Sequence, residues 1–248
     1  MNVVEWPNGY GRRVLAEVDS TNAEGVRVAA TLAGPTWIMT HRQMAGRGRR
    51  GRPWADPVGN FAASLVLRPV EAPGVAALRS FVAALALYDA VERVAPMADL
   101  ALKWPNDVLL GGGKLAGILL ESSGQSGQLA HLVIGIGVNL SQVPVAVAPG
   151  ALSPVSLRGE TGVQVTPETF LMHLATAYAA REAVFLRDGF APIRADWLGR
   201  AARLGQDITA RTGQAEVTGR FETVDADGAL VLATADGRRV IPAAEVYF

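Results

Sequence analysis

The segment "RQMAGRGRRGRPW", residues 42–54, combines a high density of positive charge with glycine. Its first eleven positions hold five arginines and three glycines, although the whole chain balances 23 basic against 23 acidic residues. Arginine donates paired hydrogen bonds to carboxylates and phosphates, and glycine lets a backbone approach an anion closely. The composition fits a loop that orders over an anionic ligand, a solvated surface loop, or a nucleic-acid-binding segment. The last reading is the weakest, because such segments lie in disordered tails and this one joins two predicted strands.

The only two lysines, Lys103 and Lys114, flank the sequence "WPNDVLLGGG", while the other 21 basic residues are arginines. A lysine kept among arginines suggests a task that needs a compact ammonium group rather than a planar guanidinium. Asn106 and Asp107 in "KWPND" are equally well read as ligand-binding groups or as ordinary turn residues after a proline. Lys114 follows three glycines at the start of an apolar strand, where it serves either a ligand or the solvent.

Glycines also interrupt a predicted strand. In "GIGVN", Gly135 and Gly137 occupy alternate positions of an otherwise apolar segment. Glycine inside a strand usually marks a close approach of a ligand or of another backbone. The pattern is not a dinucleotide fingerprint, because the spacing and the following helix are missing.

Composition excludes several kinds of chemistry. The chain has no cysteine, so disulfides, thiolate metal sites and a cysteine nucleophile are ruled out. His41, His131 and His173 are not spaced as metal ligands, and no metal site is predicted. The balanced charge argues against a general basic surface for nucleic acid or anionic membranes.

Length and hydropathy predict a soluble, cytoplasmic protein. Half of the 248 residues are apolar, which suffices for a core and argues against disorder. The N-terminus "MNVVEWPNGYGRR" lacks the apolar run of a secretory signal. No uncharged apolar stretch reaches the ~18 residues that a membrane-spanning helix needs.

Periodicity predicts a sheet with helices, followed by a strand-rich end. Strands are expected at 13–18, 36–40, 60–69, 100–104, 107–110, 114–123 and 129–140, and helices at 21–32, 73–95, 167–189 and 190–201. Residues 141–157, rich in proline, are predicted to form a surface loop. From residue 206 onward, short alternating strands with tight turns predict a small closed β-barrel, and a domain boundary is expected near residue 200.

Taken in order, "DSTN", "QMAGRGRRGRPW", "KWPND", "GGGKLAGILLE" and "GIGVN" resemble the motifs of the biotin protein ligase family. The strand-rich end resembles that family's C-terminal domain. The resemblance implies an α+β fold: a mixed β-sheet flanked by helices, like a class II synthetase catalytic domain, in residues 1–200, and a small SH3-like β-barrel in residues 201–248. Because the motifs begin at residue 19, the short class without an N-terminal DNA-binding domain is expected.

The resemblance also implies roles for individual residues. Positions that match biotin-binding residues are Ser20, Thr21, Asn22, Gln43, Gly46, Arg47, Gly48, Arg49, Lys114, Gly117, Gly135 and Gly137. Positions that match the ATP or adenylate side are Arg49, Arg52, Trp54, Lys103, Asn106 and Asn139. Lys114, Arg47 and Asp107 match catalytic positions. Asp107 either orients Lys114 or helps to deprotonate the incoming lysine.

The activity implied by the resemblance is an ATP-dependent, AMP-forming ligation. Biotin is activated to biotinyl-5′-AMP, with Mg²⁺ shielding the triphosphate, and is then transferred to a lysine of a biotin carboxyl carrier domain. The expected partner is that carrier domain, with no DNA and no membrane, and the expected state is a monomer or homodimer.

Three other activities explain the sequence less well. A lipoate-protein ligase shares the adenylation logic, but its usual arginine-serine-glycine-glycine motif is not found here. An octanoyl transferase needs a cysteine nucleophile, which the chain lacks. A nucleic-acid-binding module would leave "GGGKLAGILLE" and "GIGVN" unexplained.

Overall fold

The computed structural model describes residues 5–55, 57–144, 152–212 and 215–247. The helices are α1 (Thr21–Val28), α2 (Pro73–Ala77), α3 (Arg79–Val94), α4 (Leu157–Thr161), α5 (Pro167–Asp188) and α6 (Phe190–Leu198). The strands are β1 (Gly11–Leu15), β2 (Thr36–Thr40), β3 (Phe61–Leu67), β4 (Leu100–Lys103), β5 (Asp107–Leu110), β6 (Gly113–Gln125), β7 (Gln128–Val138), β8 (Asp207–Arg211), β9 (Glu216–Val224), β10 (Leu230–Thr234), β11 (Gly237–Ile241) and β12 (Glu245–Tyr247).

The first seven strands form one mixed sheet in the spatial order β1-β2-β3-β7-β6-β5-β4. Strands β1 and β2 are parallel, and every other neighbouring pair is antiparallel. Strands β2 and β3 are buried along their whole length, because helices cover both faces of the sheet. Such strands are continuously apolar rather than alternating. The predicted mixed sheet flanked by helices is therefore confirmed.

Alternate residues of the central strands enter two separate apolar clusters. Ile38, Val66 and Val133 pack beneath α1 and the short 3-10 turn that follows it. Leu65 and Ile134 point to the other face, into the large cluster that holds the residues of α3 and α5. Because side chains alternate along a strand, one face of the sheet carries α1 and the 3-10 turn and the other carries the longer helices α3 and α5. The candidate site lies on the α1 face.

Helices α2 and α3 form the most apolar stretch, Pro73–Val94, which is long and apolar enough to match a membrane span by length and composition alone. In the described residues it is the one such helix, and 61% of its apolar window is buried inside the protein. Its surface packs mainly on α5 and α6 and also on β4, β5 and β6. Burial in the core thus accounts for this composition.

The C-terminal strands form a second sheet, antiparallel throughout, in the order β11-β10-β9-β8-β12. The predicted strand-rich end is confirmed, but closure into a barrel is not. Strands β11 and β12 stand at opposite edges and do not pair with each other in the described part of the chain. Strand β12 has only three residues, all of which pair with β8.

The two sheets are in direct contact. Trp104 donates its indole N–H to the carbonyl of Gly228 over 3.1 Å, and the amide of Leu102 donates to the carbonyl of Arg200 over 2.8 Å. Apolar residues of the C-terminal sheet, such as Phe221, belong to the same core cluster as α3. The domain boundary near residue 200 therefore stays a prediction, because the core continues across it.

Several local predictions differ from the structure. The helix predicted at 21–32 ends as α1 at Val28 and is followed by a 3-10 turn, and the helix predicted at 73–95 is divided into α2 and α3 at Leu78. Strand β1 begins two residues earlier than expected and ends at Leu15.

The predicted loop 141–157 ends in a short helix, α4, which Ser156 caps by accepting a hydrogen bond from the amide of Gly159 over 3.1 Å. Five residues are too few for a helical period to show in the sequence. Residues 145–151 of that loop lie outside the described residues.

Candidate functional site

A cleft of about 940 Å³ opens on the α1 face of the large sheet. Its floor carries three strand glycines, Gly117, Gly135 and Gly137, in two adjacent rows of the sheet. In one row, Gly135 on β7 pairs with Leu119 on β6, and in the next row Gly137 pairs with Gly117. Gly117 in turn pairs with Asp107 on β5. The alternate glycines therefore leave a groove whose far end meets a carboxylate.

The first turn of α1 closes one end of the groove. Ser20 is the N-cap, with extended backbone and its hydroxyl accepting a hydrogen bond from the amide of Ala23 over 3.4 Å. The backbone amide and the hydroxyl of Thr21 both donate to Oε1 of Gln43, over 2.9 and 3.2 Å. A serine N-cap starts the helix at this point, so that Thr21 and Asn22 face the cleft.

Asn22 lies flat against the floor. A Cβ atom added at Gly135 would stand under 3.0 Å from the amide oxygen of Asn22. The Asn22 Oδ1 atom is 2.6 Å from the hydroxyl of Ser64, and its Nδ2 donates to the carboxylate of Glu121 over 2.7 Å. Asn22 and Ser64 are both buried. The close approach that glycine at position 135 permits is therefore that of a side chain from α1.

Trp54 covers the second glycine row. A Cβ at Gly137 would clash with the indole ring, and one at Gly117 would be 3.3 Å from it. The ring thus lies on bare backbone and forms an apolar wall in the middle of the cleft. The ammonium of Lys114 is 5.9 Å from the centre of the ring, within the range of a cation–π contact.

Lys114 and Asp107 form an ion pair beside Trp54. Lys114 Nζ lies 2.7 Å from Asp107 Oδ1, and the two side chains are 31% and 14% exposed. The backbone of Lys114 is fixed by the segment 153–155: its amide donates to the carbonyl of Ser153 and its carbonyl accepts from the amide of Val155. The compact ammonium is therefore held in the cleft wall, and the reading of Lys114 as a purely solvated cation is not favoured.

Lys103 and Asn106 lie beyond this pair. Burial lowers the pKa of Lys103, and the nearby carboxylate of Asp107 opposes that effect. Asn106 donates its side-chain amide to the carbonyl of Ile118 over 2.6 Å, and its carbonyl accepts from the amide of the same residue over 2.9 Å. The turn between β4 and β5 is thereby fastened to β6, which keeps both residues at the cleft.

The arginine-rich segment is a hairpin over the cleft. The amide of Trp54 donates to the carbonyl of Gly46 over 2.9 Å, and the amide of Gly48 donates to the carbonyl of Arg52 over 2.7 Å. Gly46 is required by this close approach, since a Cβ there would stand 2.7 Å from the carbonyl oxygen of Trp54. Arg50 at the tip has a positive φ of 57°.

Two arginines of the hairpin reach opposite ends of the cleft. The guanidinium of Arg47 lies 3.6 Å from the carboxylate of Glu121, beside Asn22. Arg49 donates to Oδ1 of Asn106 over 3.3 Å and to the carbonyl of Ala244 over 3.4 Å. Burial lowers the pKa of Arg49. These contacts favour an anion-binding loop over a solvated one.

Glu245 of β12 holds the other two arginines. Arg52 lies 2.7 Å and Arg50 3.5 Å from its carboxylate. Burial raises the pKa of Glu245, but hydrogen bonds from Tyr247 and Arg52 outweigh it and hold that pKa below its usual range. The hairpin is therefore attached to the C-terminal sheet by a charged group.

Nearly all residues predicted for the site line one cleft. Those that do so are Ser20, Thr21, Asn22, Gln43, Arg47, Gly48, Arg49, Arg52, Trp54, Lys103, Asn106, Asp107, Lys114, Gly117, Gly135, Gly137 and Asn139. Gly46 stands behind the wall, in the neck of the hairpin. Asn139 faces the cleft, but its side-chain amide donates to the carbonyl of Val155 over 3.0 Å and so fastens the segment that follows the loop. The individual roles of these residues stay predictions.

Sequence reasoning missed residues that only the tertiary structure brings to the site. They are Ser64 and Glu121 behind the α1 end of the cleft, and Glu245, Val246 and Tyr247 along the C-terminal edge. A single carboxylate on a strand has no spacing signal, and the last strand reaches the cleft only because the two sheets pack together.

No group of three or more metal-ligating side chains occurs in the described ranges. The two carboxylates that line the cleft, Asp107 and Glu245, are both occupied by cationic side chains. Mg²⁺ is usually held by one or two carboxylates together with phosphate groups of the substrate. The described part of the chain therefore shows no dedicated set of protein ligands for Mg²⁺.

Comparison with known proteins shows the family of the chain. The profile of the biotin/lipoate A/B protein ligase family matches residues 13–139, and that of the biotin protein ligase C-terminal domain matches residues 204–248. The chain therefore belongs to the biotin/lipoate A/B protein ligase family.

Several individual proteins are similar to the chain over most of its length. The chain is 58% identical over 238 residues to a biotin–[acetyl-CoA-carboxylase] ligase of Paracoccus denitrificans, covering 95% of this chain and 99% of that protein. It is 32% identical to the bifunctional ligase/repressor BirA of Escherichia coli, covering 91% of this chain and 70% of that protein. Among solved structures, the biotin protein ligase of Aquifex aeolicus in complex with biotin and ATP matches with a TM-score of 0.81 at 25% identity, over 95% of this chain and 97% of that one.

Proposed function

We propose that the chain activates biotin with ATP to biotinyl-5′-AMP and transfers the biotinyl group to a lysine of a biotin carboxyl carrier domain. One observation carries the proposal. The ammonium of Lys114 stands on the cleft wall between a polar end formed by Thr21 and Asn22 and a basic end formed by Arg49. A carboxylate and a phosphate that approach from the two ends would meet at this cation.

The polar end suits the ureido ring and the middle suits the acyl chain of biotin. Thr21, Asn22 and Gln43 offer hydrogen-bond donors and acceptors at the closed end, and Trp54 over Gly137 offers an apolar wall. The apolar wall and the few polar groups at one end are typical of a small-ligand pocket.

In the first step a biotin carboxylate oxygen attacks the α-phosphorus of ATP. The bond between that phosphorus and the bridging oxygen breaks, and pyrophosphate leaves. Two anions must approach each other, so the main demand is neutralisation of charge. Lys114 supplies a point charge at the reacting oxygens, while Arg49 and Arg52 pair with phosphate.

In the second step the neutral amine of the carrier lysine attacks the carbonyl carbon of the anhydride, and AMP leaves with the electron pair of the broken C–O bond. The amine must lose its proton. Asp107 already contacts Lys114 at 2.7 Å, which supports an orienting role, and a share in deprotonation stays open. The hairpin excludes water from the anhydride.

Mg²⁺ enters this proposal as part of the ATP substrate complex, because Asp107 and Glu245 are paired with cationic side chains. The carrier domain is the proposed partner, and a monomer or homodimer remains our expectation. We also propose a cytoplasmic location, as the sequence predicts, because the reaction needs ATP as its second substrate.

The function is tested by incubating the protein with ATP-Mg and a biotin carboxyl carrier domain. Separate reactions receive biotin, lipoate or octanoate, and the carrier is weighed by mass spectrometry. We expect the mass of one biotinyl group in the first reaction and no change in the others. Transfer of lipoate or octanoate instead would replace the proposal with the lipoate-type alternative.

Gly135→Ala should weaken biotin binding about tenfold, equal to about 1.4 kcal/mol. The added Cβ would stand under 3.0 Å from the amide of Asn22, so that side chain must move. Gly74→Ala is the matched control, because an added Cβ there meets nothing within 4 Å. Titration calorimetry with biotin alone measures both variants, and equal affinities would remove Asn22 from biotin recognition.

Glu245→Gln should raise the KM for ATP about fivefold and leave the affinity for biotin alone unchanged. The substitution removes the charge that fixes Arg52 and Arg50 at the nucleotide end, and hydrogen bonds to charged groups contribute about 1.5–3 kcal/mol. Pyrophosphate release is measured against ATP concentration at saturating biotin. An unchanged or lowered KM for ATP would contradict the anchoring role.

A further inference from the structure

Glu121 stands just behind the α1 end of the cleft and contacts two residues of its wall. One carboxylate oxygen accepts a hydrogen bond from Nδ2 of Asn22 over 2.7 Å, and the other lies 3.6 Å from the guanidinium of Arg47. Glu121 pairs with Val133 across the sheet, one step beyond the pair Leu119 and Gly135 on the same face. It does not line the cleft itself.

Two acceptors determine which way the side-chain amide of Asn22 points: the carboxylate of Glu121 at 2.7 Å and, at a longer 3.4 Å, the carbonyl of Leu119. An ionised carboxylate only accepts hydrogen bonds, so the NH₂ end of Asn22 must face Glu121. The oxygen end then faces the hydroxyl of Ser64 at 2.6 Å, directly above Gly135. Without the carboxylate, the amide would lose its strongest partner and could turn over.

The contact with Arg47 is weaker. The two side chains are 47% and 35% exposed and their closest atoms are 3.6 Å apart. Exposed pairs of this kind contribute about 0–1 kcal/mol. Asn22, by contrast, is buried and its hydrogen bond involves a charged acceptor, which makes that bond the stronger one.

We infer that Glu121 is a positioning residue for the biotin-binding end of the cleft, acting chiefly through the hydrogen bond to Asn22 and secondarily through Arg47. The inference rests on the proposed function, since it names what Asn22 and Arg47 would hold. Glu121 links the first turn of α1 to the arginine hairpin, so a single carboxylate sets the geometry of two elements that are far apart in sequence.

The simpler view is that Glu121 forms an ordinary surface ion pair with Arg47. On that view the charge matters and the hydrogen bond does not, and Glu121→Gln should be as harmful as Glu121→Ala. If the hydrogen bond to Asn22 dominates, glutamine still offers an acceptor and should preserve binding. The two variants therefore separate the two views.

The test measures biotin affinity by titration calorimetry for wild type, Glu121→Ala, Glu121→Gln and Asn22→Ala, and for the double variant Glu121→Ala/Asn22→Ala. Glu216→Ala is the matched control, because it removes an exposed carboxylate that pairs with Arg211 in the C-terminal sheet. Thermal melting of each variant and the KM for ATP at saturating biotin are recorded as readouts of general damage.

We expect Glu121→Ala to weaken biotin binding about tenfold and Glu121→Gln less than about threefold, with the KM for ATP and the melting temperature unchanged. The double variant should bind biotin no more weakly than Asn22→Ala does, because each of the two substitutions removes the same hydrogen bond between Glu121 and Asn22. The inference would be overturned if Glu121→Ala kept wild-type biotin affinity, or if both Glu121 variants lost the same affinity. It would also be overturned by additive losses in the double variant, or by a parallel loss of ATP affinity and melting temperature. Failure of the wild type to bind biotin would instead refute the proposed function.

Discussion

Replacing Lys114 with alanine should abolish measurable adenylate formation while the fold stays intact. The ammonium stands between Asp107 and the ring of Trp54, at the point where a carboxylate and a phosphate would meet. Losing one charged donor in a desolvated site costs on the order of 3 kcal/mol in the transition state, or about a hundredfold or more in rate. The measurement is biotin-dependent pyrophosphate release, with thermal melting to check the fold.

Lys114→Arg is the informative companion. It keeps the positive charge but replaces a point charge by a planar fork that is longer and needs a different approach. We expect it to recover only a small part of the rate, because the backbone around Lys114 is held by Ser153 and Val155 and cannot retreat to make room. Pyrophosphate release at the wild-type rate in Lys114→Ala would remove this lysine from catalysis.

The sequence predicted most clearly those residues of the cleft whose type is unusual for their position. A lysine after three glycines and a run of arginines are rare in a chain of balanced charge, and Lys114 lines the cleft together with Arg47, Arg49 and Arg52. The glycines at 135 and 137 were predicted to mark a close approach, and the approaching groups are Asn22 and Trp54. Each of these residues differs from the residue type that packing alone would favour at its position.

Other parts of the site gave no such signal. Glu121 and Glu245 each look like an ordinary polar position on an alternating strand, and only the folded chain shows which cations they face. Asn139 lines the cleft and also donates its side-chain amide to the backbone of Val155, a contact without a sequence signal, and its nucleotide role stays a prediction. The alternating strands at the C-terminal end predict a closed barrel, but the described strands form an open sheet. Closure depends on pairing between the two edge strands, which alternation does not show.

The contacts of Glu245 and Arg49 connect the arginine hairpin to both sheets. The hairpin that would cover the adenylate is fastened to the C-terminal sheet through Glu245 and through the carbonyl of Ala244, and to the large sheet through Asn106. The C-terminal sheet can therefore affect catalysis by holding the hairpin in place. An Arg49 variant tests that link at one side chain.

Arg49→Gly should uncouple the two half-reactions, so that adenylate still forms but escapes. Arg49 joins the hairpin to Asn106 and to Ala244, and its fork is placed to pair with the adenylate phosphate. Glycine removes these anchors and adds chain entropy, so the closed hairpin loses about 2–4 kcal/mol. Lys114 remains, and the freed anhydride would acylate lysines on any nearby protein.

Arg50→Gly is a matched control, since it makes the same chemical change at the next position. Within the described ranges Arg50 forms one ion pair, with Glu245 at 3.5 Å, and its φ of 57° suits glycine, so the hairpin should stay closed. Each variant is incubated with biotin, ATP-Mg and serum albumin, and the albumin is blotted for biotin. We expect strong labelling with Arg49→Gly and little with Arg50→Gly or wild type. If albumin stays unlabelled while the Arg49 variant still releases pyrophosphate, Arg49 does not retain the adenylate. Equal labelling by both variants would mean that hairpin charge, rather than the contacts of Arg49, keeps the intermediate in the cleft.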